Sequence, residues 1–393
     1  MKINIAVFFG GNSVEHEVSI ISALQAMQNI DTEKFDYTPI YLAKNGKMYC
    51  GKNLTTIENF KDIPLLLKKC HSIFITKEDN GVFIKSQQNS LLNSFKPIKI
   101  DLAFPIVHGT NCEDGSLQGY FELLNIPYIG CDVLSSAIGM DKSVFKDVLK
   151  RANVPVLDSF TFSSREFSIN EAEISSVIEE KIKYPLIIKP VNLGSSVGIS
   201  KVENKQELYD AITLASSFTN TILAEPAVNN LREINCSVLG YLDEFEASEC
   251  EEPIMQDKIL SYKDKYQSGR KSSKNSGSKG MSSLQRKLPA DIDDATKSKI
   301  TKYAIESFKA IGGHGVSRID FLMNDETKEI YVNEINTIPG SLAFYLWEVK
   351  GVSYKELIDR LVSLAFKRQR VRDNLSFTID TNILNGNFNG IKK

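Results

Sequence analysis

The chain has 393 residues, a length that predicts two or three domains. Apolar residues make up 42% and charged residues 24%, which excludes a disordered chain, and the net charge of -2 argues against a general nucleic-acid binder. No apolar run approaches the roughly 18 residues that a membrane span needs. Six scattered cysteines without a CxxC pair indicate free thiols, no structural zinc and a reducing compartment, so we expect a cytoplasmic protein.

The first third of the chain alternates strand and helix patterns, which predicts a doubly wound parallel sheet. In chain order, the predicted elements are a buried strand at 3–9, a helix at 17–29, strands at 37–42 and 102–107, a helix at 117–124, a short strand at 128–129 and one long helix at 135–152. Pro155 marks the end of that long helix.

Two further units follow the first. The second has strands at 184–189 and up to residue 202, a helix at 205–216 and a strand at 221–225; the third has a helix at 291–311, strands at 316–323 and 329–336, and a closing helix at 354–368. These patterns predict domains over residues 1–132, 133–226 and 227–370, followed by a polar tail over 371–393.

A long break in composition interrupts the third unit between residues 267 and 289. The stretch is rich in Ser and Gly and contains no acid but six basic residues, Arg270, Lys271, Lys274, Lys279, Arg286 and Lys287. Such a segment cannot pack a core, so we expect it to be mobile. Two interpretations stay open: a lid that closes over a ligand, or a surface insertion without a role.

Two predicted strands near residue 320 carry polar side chains on one face. Because strand side chains alternate with a period of two, Arg318 shares a face with Asp320, and Glu334 shares a face with Asn336. A hairpin centred near residue 327 would place Asp320 opposite Glu334 and Arg318 opposite Asn336. Two carboxylates and an amide suit Mg2+ bound together with substrate phosphates. The alternative is a solvated face on which Arg318 pairs with one of the carboxylates, and a one-residue shift of register would break the arrangement.

Two Gly-rich loops are candidate ligand sites. Asn192-Leu-Gly-Ser-Ser-Val-Gly198 follows a predicted strand that ends with Lys189, and the N–H groups of such a turn can form a concave anion site. It matches neither the P-loop nor the dinucleotide fingerprint. His108-Gly-Thr-Asn-Cys-Glu-Asp-Gly-Ser-Leu-Gln-Gly119 follows the strand at 102–107, where α/β proteins place ligands. Either loop could instead only connect two elements, and His108 alone could be structural.

Six motifs occur in an order that resembles the ATP-grasp ligases, and specifically the D-alanine–D-alanine ligase family. They are Phe9-Gly-Gly-Asn-Ser-Val-Glu-His-Glu-Val-Ser19, the loop from His108 to Gly119, Met140-Asp-Lys142, Lys189-Pro190 with Gly194-Ser-Ser-Val-Gly198, Arg318-Ile-Asp320, and Asn333-Glu-Ile-Asn-Thr-Ile-Pro-Gly340. The motifs run from Phe9 to Gly340, and the resemblance extends over residues 1 to about 365. The resemblance implies an α/β, three-domain ATP-grasp architecture, in which an N-terminal doubly wound parallel sheet precedes two α+β domains that hold ATP between them.

The resemblance also implies roles for individual residues on the nucleotide side. Lys142, Lys189 and Lys265 resemble the lysines that bind the nucleotide phosphates, and Ser195 and Ser196 resemble part of the loop that closes over those phosphates. Glu225 and Val228 resemble the hinge that recognises adenine. Glu233 resembles the acid that accepts hydrogen bonds from the ribose hydroxyls. Asp320, Glu334 and Asn336 resemble the ligands of two Mg2+ or Mn2+ ions.

On the amino-acid side, Glu15 resembles the residue that receives the first substrate's ammonium. Arg318 and the N–H of Gly340 resemble the pair that stabilises an oxyanion, and Glu15, Ser195, Arg318 and Gly340 form the expected catalytic set. His108 and Tyr266 are expected beside the substrates. Tyr345 is expected there too, because by count it occupies the position of a serine that contacts the second substrate's carboxylate.

The resemblance predicts ATP-dependent joining of two D-alanine molecules through an acyl phosphate, a step of peptidoglycan precursor synthesis. The expected partners are ATP and D-alanine, and we expect binding to neither nucleic acid nor membranes. The chain could form a homodimer, because the family is commonly dimeric. Departures are Cys112 in place of a glycine, one extra residue between 225 and 233, the long basic 267–289 segment, and Tyr345.

Three alternatives remain at this point. The acceptor could be D-serine or D-lactate, since the motifs would be the same. Another ATP-grasp carboxylate–amine ligase is disfavoured by His16-Glu-Val-Ser19. A catalytically dead nucleotide-binding module would need to have lost phosphate lysines or metal ligands, and all of these residues are present.

Overall fold

The computed structural model describes residues 2–87, 95–254 and 285–379. Within these residues three sheets follow one another along the chain, each with its own helices. No helix in these ranges is both long enough and apolar enough to cross a membrane.

The N-terminal sheet is mixed rather than purely parallel. Its elements are β1 (Ile3–Gly10), α1 (His16–Asn29), β2 (Phe35–Leu42), β3 (Met48–Cys50), α2 (Ile63–Lys68), β4 (His71–Glu78), β5 (Gly81–Ser86), β6 (Ile98–Ile100), β7 (Leu102–Val107) and α3 (Ser116–Leu124). The strand order is β6-β5-β4-β3-β2-β1-β7. β1 pairs in parallel with β2 and β7, as the alternating pattern predicts, and β3 to β6 extend the sheet with antiparallel pairs. The strand predicted at 128–129 is only a single bridge from Tyr128 to Ala103.

The prediction of one long helix at 135–152 is wrong, because the chain forms two helices there. These are α4 (Val133–Met140) and α5 (Lys142–Arg151), separated by Asp141 in an extended conformation. The Asp141 carboxylate accepts hydrogen bonds from the N–H groups of Ser143 (2.9 Å) and Val144 (3.1 Å), which is the geometry of an N-cap. The break places Lys142 in the first turn of α5.

The central sheet is small and antiparallel. It contains β8 (Phe160–Ser163), α6 (Ser164–Ile169), α7 (Glu171–Lys181), β9 (Leu186–Pro190), β10 (Ser200–Val202), α8 (Lys205–Ser216) and β11 (Thr221–Pro226). The strand order is β10-β9-β11-β8. The Gly/Ser loop connects β9 to β10, and Lys189 lies at the end of β9, as predicted.

The C-terminal sheet has five antiparallel strands. Its elements are β12 (Leu231–Tyr241), β13 (Glu244–Pro253), β14 (Arg286–Lys287), α9 (Asp294–Ala310), β15 (Gly315–Asn324), β16 (Ile330–Asn336), α10 (Phe344–Glu348) and α11 (Tyr354–Asp373), with the order β14-β13-β12-β15-β16. The α/β class and the predicted architecture are confirmed. The end of the predicted mobile segment behaves differently, because Arg286 and Lys287 pair with β13.

Two hydrophobic cores fix the units against each other. Leu24 of α1 belongs to the same buried cluster as Trp347 and Leu357, so the N-terminal sheet is joined to the last two helices. Phe145 of α5 is buried with Phe308 of α9 and the C-terminal strands. The N-terminal sheet and α5 are therefore both packed against the C-terminal unit.

Candidate active site

A cavity of about 480 Å³ lies between the central and C-terminal sheets. It brings together predicted nucleotide residues from five separate segments: Lys142, Lys189, Ser196, Glu225, Val228 and Glu233, together with Asp320 and Glu334. Apolar side chains of Ile187, Leu231, Phe321 and Leu322 also line it. A cavity with an apolar part and a cationic, Gly-rich part can accept a flat ring system at one end and an anion at the other.

One carboxylate holds two lysines in this cavity wall. Glu225, on β11, is within 2.5 Å of the Nζ of Lys189 and within 2.6 Å of the Nζ of Lys146, and all three side chains are at most 3% exposed. Burial alone would raise the pKa of Glu225, but the two ammonium groups outweigh it and lower the pKa to about 2. The lysine Nζ of Lys189 also donates to the side-chain oxygen of Asn333 (3.0 Å), so it is aimed at the C-terminal sheet.

The predicted pairing of the hairpin is confirmed at the site. Asp320 lies opposite Glu334 and Arg318 opposite Asn336. Beyond Asp320 the register shifts by one residue, so that Phe321 faces Val332. This bulge leaves both Asn333 and Glu334 facing the cavity, whereas strict alternation would place only Glu334 there.

The ion pair that the sequence left as an alternative is present on this face. Arg318 donates to both carboxylate oxygens of Asp320, through Nε at 2.6 Å and Nη2 at 2.7 Å, and Asn336 Nδ2 donates to Asp320 at 3.1 Å. Glu334 is paired with Lys142, at 3.1 Å. Arg318 is largely buried, with 12% of its side chain exposed, yet the Asp320 carboxylate more than offsets that burial and raises its pKa, so the guanidinium stays charged.

These residues fit a metal ion only in the company of a phosphate-bearing ligand. Nowhere in the described ranges do three or more His, Cys, Asp or Glu side chains form a group that could hold a metal by itself. Asp320, Glu334 and Asn336 supply hard oxygen donors beside the cavity, which is the chemistry that Mg2+ and Mn2+ prefer. Mg2+ commonly binds to one or two carboxylates and completes its shell with water and substrate phosphates.

A second pocket of about 90 Å³ adjoins the cavity and shares Glu233, Asp320 and Glu334 with it. Its other lining residues include four from the predicted catalytic set, Glu15, Ser195, Arg318 and Gly340, and also His108 and Asn336. The structure thus brings the amino-acid and nucleotide residues of the prediction to two connected spaces.

The Gly/Ser loop touches the N-terminal sheet at Glu15. The hydroxyl of Ser195 donates to the Glu15 carboxylate in a short hydrogen bond. Ser195 and Ser196 both have positive φ, 55° and 58°, a conformation that costs energy for residues with a side chain and is typical of functional sites. A Cβ atom on Gly194 would lie 2.9 Å from Glu15 Oε2, so a larger residue there would require the Glu15 carboxylate to shift.

The loop that presents Gly340 is fixed by side chains of the N-terminal unit. His108 Nδ1 bonds the carbonyl of Ile338 (2.9 Å), and the N–H of Ile338 donates to Glu113 (2.7 Å). The N–H of Ser341 donates to Ser22 (3.0 Å). His108 is therefore in a supporting position, and burial, the largest influence, lowers its pKa and favours the neutral ring.

Tyr345 does not line either space directly. Its side chain is buried, and its hydroxyl donates to Glu251 Oε1 (2.9 Å). Glu251 and Arg286 do line the smaller pocket, and the Arg286 guanidinium lies 4.0 Å from the centre of the Tyr345 ring. Lys265 and Tyr266, and most of the segment 267–289, lie outside the described residues.

Several residues at the site escaped the sequence analysis. They are Lys146, Glu113, Asn333, Asn235, Glu251 and Arg286, of which Arg286 had been noted only as part of the basic segment. Two of them stood inside quoted motifs, Glu113 in the His108 loop and Asn333 at the start of the last motif, where an acid or amide in a Gly-rich loop was a usable signal. Lys146 could have been found as the residue one turn after Lys142 on a helix.

Comparisons with known proteins identify the family. A family model described as D-ala D-ala ligase N-terminus matches residues 4–131, and one described as D-ala D-ala ligase C-terminus matches residues 148–363. The chain belongs to the D-alanine–D-alanine ligase family. The resemblance found in the sequence is confirmed, and the chain is an ATP-dependent ligase of ATP-grasp architecture.

The relatives resemble this chain over nearly their whole length. D-alanine–D-alanine ligases of Thermosipho melanesiensis and Acetivibrio thermocellus are both 40% identical to it, over 97% and 95% of this chain and 98% of each relative. Among solved structures, the D-alanine–D-alanine ligase of Coxiella burnetii is 29% identical, with a TM-score of 0.79 over 95% of this chain and 96% of that one. The VanG D-Ala:D-Ser ligase of Enterococcus faecalis is 35% identical, with a TM-score of 0.76 over 93% and 100%.

Proposed function

We propose that this protein joins two D-alanine molecules into D-alanyl-D-alanine at the expense of ATP, for peptidoglycan precursor synthesis in the cytoplasm. The single observation that carries the proposal is the contact between Ser195 and Glu15, where the Gly/Ser loop beside the larger cavity meets the N-terminal unit. The pocket at this contact also contains Arg318 and Gly340. A phosphate-binding space and an amino-acid space are thus joined at one point.

The larger cavity is the proposed ATP site. Lys142 and Lys189 would neutralise the phosphates, and the Gly/Ser loop would cover them. The segment from Glu225 to Val228 would contact adenine through its backbone, and Glu233 would accept hydrogen bonds from the ribose. From the loop, Leu193, Gly194 and Ser196 line the cavity, as do the other residues named here, and this supports the assignment. Ser195 lines the adjoining smaller pocket.

The reaction begins with the first D-alanine, whose ammonium would be held by Glu15. Its carboxylate is a poor acyl donor because the leaving group would be oxide. A carboxylate oxygen therefore attacks the γ-phosphorus, the bond to the β-phosphate oxygen breaks, and ADP and an acyl phosphate result. Because such a transfer involves little covalent chemistry by the enzyme, positioning by Lys142, Lys189 and the Gly/Ser loop supplies most of the rate enhancement.

The second D-alanine then attacks the activated carbonyl carbon with its amine. A C–N bond forms, and the oxyanion is stabilised by Arg318 and the N–H of Gly340. The amine nitrogen gives up a proton to water, and collapse of the intermediate breaks the C–O bond to phosphate, which leaves the dipeptide. Donors aimed at such an oxyanion act most strongly in a site that excludes water. Both groups line the smaller pocket, which is consistent with this step.

The resemblance adds a metal requirement. Asp320, Glu334 and Asn336 would hold one or two Mg2+ or Mn2+ ions against the phosphates, and such ions supply charge neutralisation during phosphoryl transfer. With such ions bound, Asp320 and Glu334 would no longer need Arg318 and Lys142 to neutralise their charge. Arg318 would be released toward the oxyanion, and Lys142 toward the phosphates.

A second acceptor is favoured by one comparison. The VanG enzyme, named as a D-Ala:D-Ser ligase, is 35% identical to this chain, close to the 36% of the D-alanine–D-alanine ligase of Ruminiclostridium cellulolyticum. D-Serine is therefore the second candidate acceptor.

The test is identification of the product. The protein is incubated with ATP, Mg2+ and D-alanine, alone or with an equal concentration of D-serine or D-lactate, and products are separated by mass. We expect D-alanyl-D-alanine, with one ADP and one phosphate formed per dipeptide. A mixed product that dominates with D-serine would change the acceptor assignment, and ADP without any condensed product would contradict the function.

A matched pair of variants makes this experiment specific. Glu15→Gln removes the proposed partner of the substrate ammonium. The control, Glu17→Gln, changes a nearby exposed acid that pairs with Lys44. The first variant should lose dipeptide synthesis and the second should retain it. The expected homodimer is tested separately, by sedimentation of the purified protein.

A further inference from the structure

We infer that Arg286 binds the carboxylate of the acceptor amino acid, an inference that rests on the proposed function. Arg286 lies on β14 and lines the smaller pocket together with Ser195, Arg318 and Gly340. It is largely buried, with 11% of its side chain exposed. Its guanidinium therefore lies at the same pocket in which the acyl group is transferred.

The acceptor brings a negative charge that needs a partner. D-Alanine, D-serine and D-lactate all keep a free carboxylate in the product, because only the amine or hydroxyl reacts. Burying that carboxylate without a cation would be strongly unfavourable. The pocket wall itself is rich in acids, since Glu15, Glu233, Asp320 and Glu334 all contribute to it.

Two guanidinium groups occur among the described residues that line the pocket, those of Arg318 and Arg286. Arg318 holds Asp320 through two hydrogen bonds and is assigned to the oxyanion. Arg286 is therefore the group suited to the acceptor carboxylate. A guanidinium presents five N–H donors in a planar fork that matches a carboxylate, so it can bridge two acids at once.

The surroundings hold the Arg286 guanidinium in one orientation. Its Nη1 donates to Glu251 Oε2 at 2.6 Å, and its central carbon lies over the ring of Tyr345. Glu251 is in turn held at its other oxygen by the Tyr345 hydroxyl at 2.9 Å and by Asn235 Nδ2 at 3.0 Å. A fixed guanidinium loses less freedom on binding a ligand than a mobile one.

This arrangement gives the departure at Tyr345 a physical reason. Tyr345 occupies by count the position of a serine that contacts the acceptor carboxylate in the family. Here its hydroxyl is committed to Glu251 and its ring to Arg286. Tyr345 is thus a positioning residue, and the carboxylate contact is transferred to Arg286.

The test is a competition between two acceptors that differ only in the charge at issue. The enzyme receives ATP, Mg2+ and D-alanine with D-alaninamide, which lacks the carboxylate and can serve only as acceptor. With the two acceptors at equal concentration, the initial ratio of D-alanyl-D-alanine to D-alanyl-D-alaninamide, measured by mass, equals the ratio of kcat/KM for the two acceptors. Both products share the donor and the ATP step, so a general loss of activity does not move the ratio.

We expect Arg286→Gln to lower this ratio by about 10- to 100-fold, the usual effect of removing a charged hydrogen-bond partner. Arg286→Lys should keep part of the preference. The matched control is Lys287→Gln, the next residue on β14, which is half exposed and should leave the ratio unchanged. The double variant Arg286→Gln/Glu251→Gln removes both members of the pair and serves if the single variant folds poorly.

The outcomes separate the inference from the proposed function. A wild-type enzyme that makes no dipeptide overturns the function and the inference together. A wild-type enzyme that makes dipeptide, with an unchanged product ratio in Arg286→Gln and in the double variant, overturns only the role of Arg286. A ratio that falls equally in Lys287→Gln would mean that general positive charge, and not Arg286, attracts the acceptor.

Discussion

Replacing Glu225 with glutamine should destabilise the protein by about 3 to 5 kcal/mol, because it removes one charge from a buried group of three. Glu225 lies between Lys146 and Lys189, and the variant would leave two buried ammonium groups without their carboxylate. Lys146 extends from α5, a helix that packs on the C-terminal core, whereas Lys189 and Glu225 belong to the central sheet. The loss should therefore loosen the contact between the two lobes that enclose the proposed ATP site.

The pKa of Glu225 gives an independent magnitude. Lowering it from an ordinary 4.5 to about 2 amounts to about 3 kcal/mol of favourable interaction, which agrees with the range for a broken buried pair. Because the folded-state pKa is depressed, this stabilisation is fully present above pH 4.5 and is lost as the pH falls from there to about 2. At neutral pH the contribution of Glu225 should not vary with pH.

The measurement is urea unfolding at neutral pH. Trp347 is the single tryptophan and is fully buried beside the C-terminal sheet, so its fluorescence reports unfolding of that lobe, while circular dichroism reports the whole chain. Glu203→Gln is the control, since Glu203 forms an exposed pair with Lys201 and its loss should barely move the midpoint. A Glu225→Gln protein that unfolds at the wild-type midpoint by both signals would refute the reasoning.

Four further predictions concern the proposed reaction and can be checked on purified variants. Glu334→Gln should abolish phosphate release without changing the circular dichroism spectrum, and unchanged release would contradict the metal role. Arg318→Ala should lower kcat by about 100- to 1,000-fold, and a raised KM with near-normal kcat would argue against an oxyanion role. Glu15→Gln should weaken D-alanine binding in calorimetry but not ATP binding, and equal weakening would indicate a structural role. Burial, and next the charge of Glu15, raises the pKa of Glu113 to about 7, so the stability of the wild-type protein should fall as the pH rises from 4.5 to 7. In Glu113→Gln the melting temperature should depend less on pH over this range, and the same dependence in both proteins would contradict the prediction.

The hairpin shows what the sequence can predict and where it stops. Alternation in the two strands and the polar turn between them were enough to pair Asp320 with Glu334. The bulge at Asn333 could not be predicted, because Asn333 and Glu334 are both polar and either could face the cavity. Its effect is to add the amide of Asn333 to the contacts of Lys189.

Sequence signals were present but outweighed at the break between α4 and α5. The apolar spacing continues through residues 135–152, and this favoured a single helix. Asp141 followed by Lys142 and Ser143 is nevertheless a good N-cap sequence. Local capping decided the structure there, and the second helix begins where the lysine must enter the cavity.

Long-range pairings lay beyond sequence reasoning altogether. Glu225 was assigned to a backbone role, and nothing in its segment indicated that its side chain would join Lys146 and Lys189, which are separated from it by many residues. The same holds for the contact of Tyr345 with Glu251. Such pairs depend on how sheets pack against each other, and a pattern within one element carries no information about it.

The loop that presents Gly340 shows why all three sheets are needed for one reacting geometry. After Gly340 the residues Ser341, Leu342 and Ala343 all have φ between 51° and 56°, a left-handed turn that costs roughly 1–2 kcal/mol for each residue with a side chain. They keep this conformation because they are buried, and because Ser341 is hydrogen-bonded to α1 through its N–H and its hydroxyl. The turn belongs to the C-terminal unit, but the partners that hold it belong to the N-terminal one. The position of the Gly340 N–H is therefore set by the same unit that supplies Glu15, so the group proposed to bind the first amino acid and the group proposed to stabilise its oxyanion are fixed relative to each other.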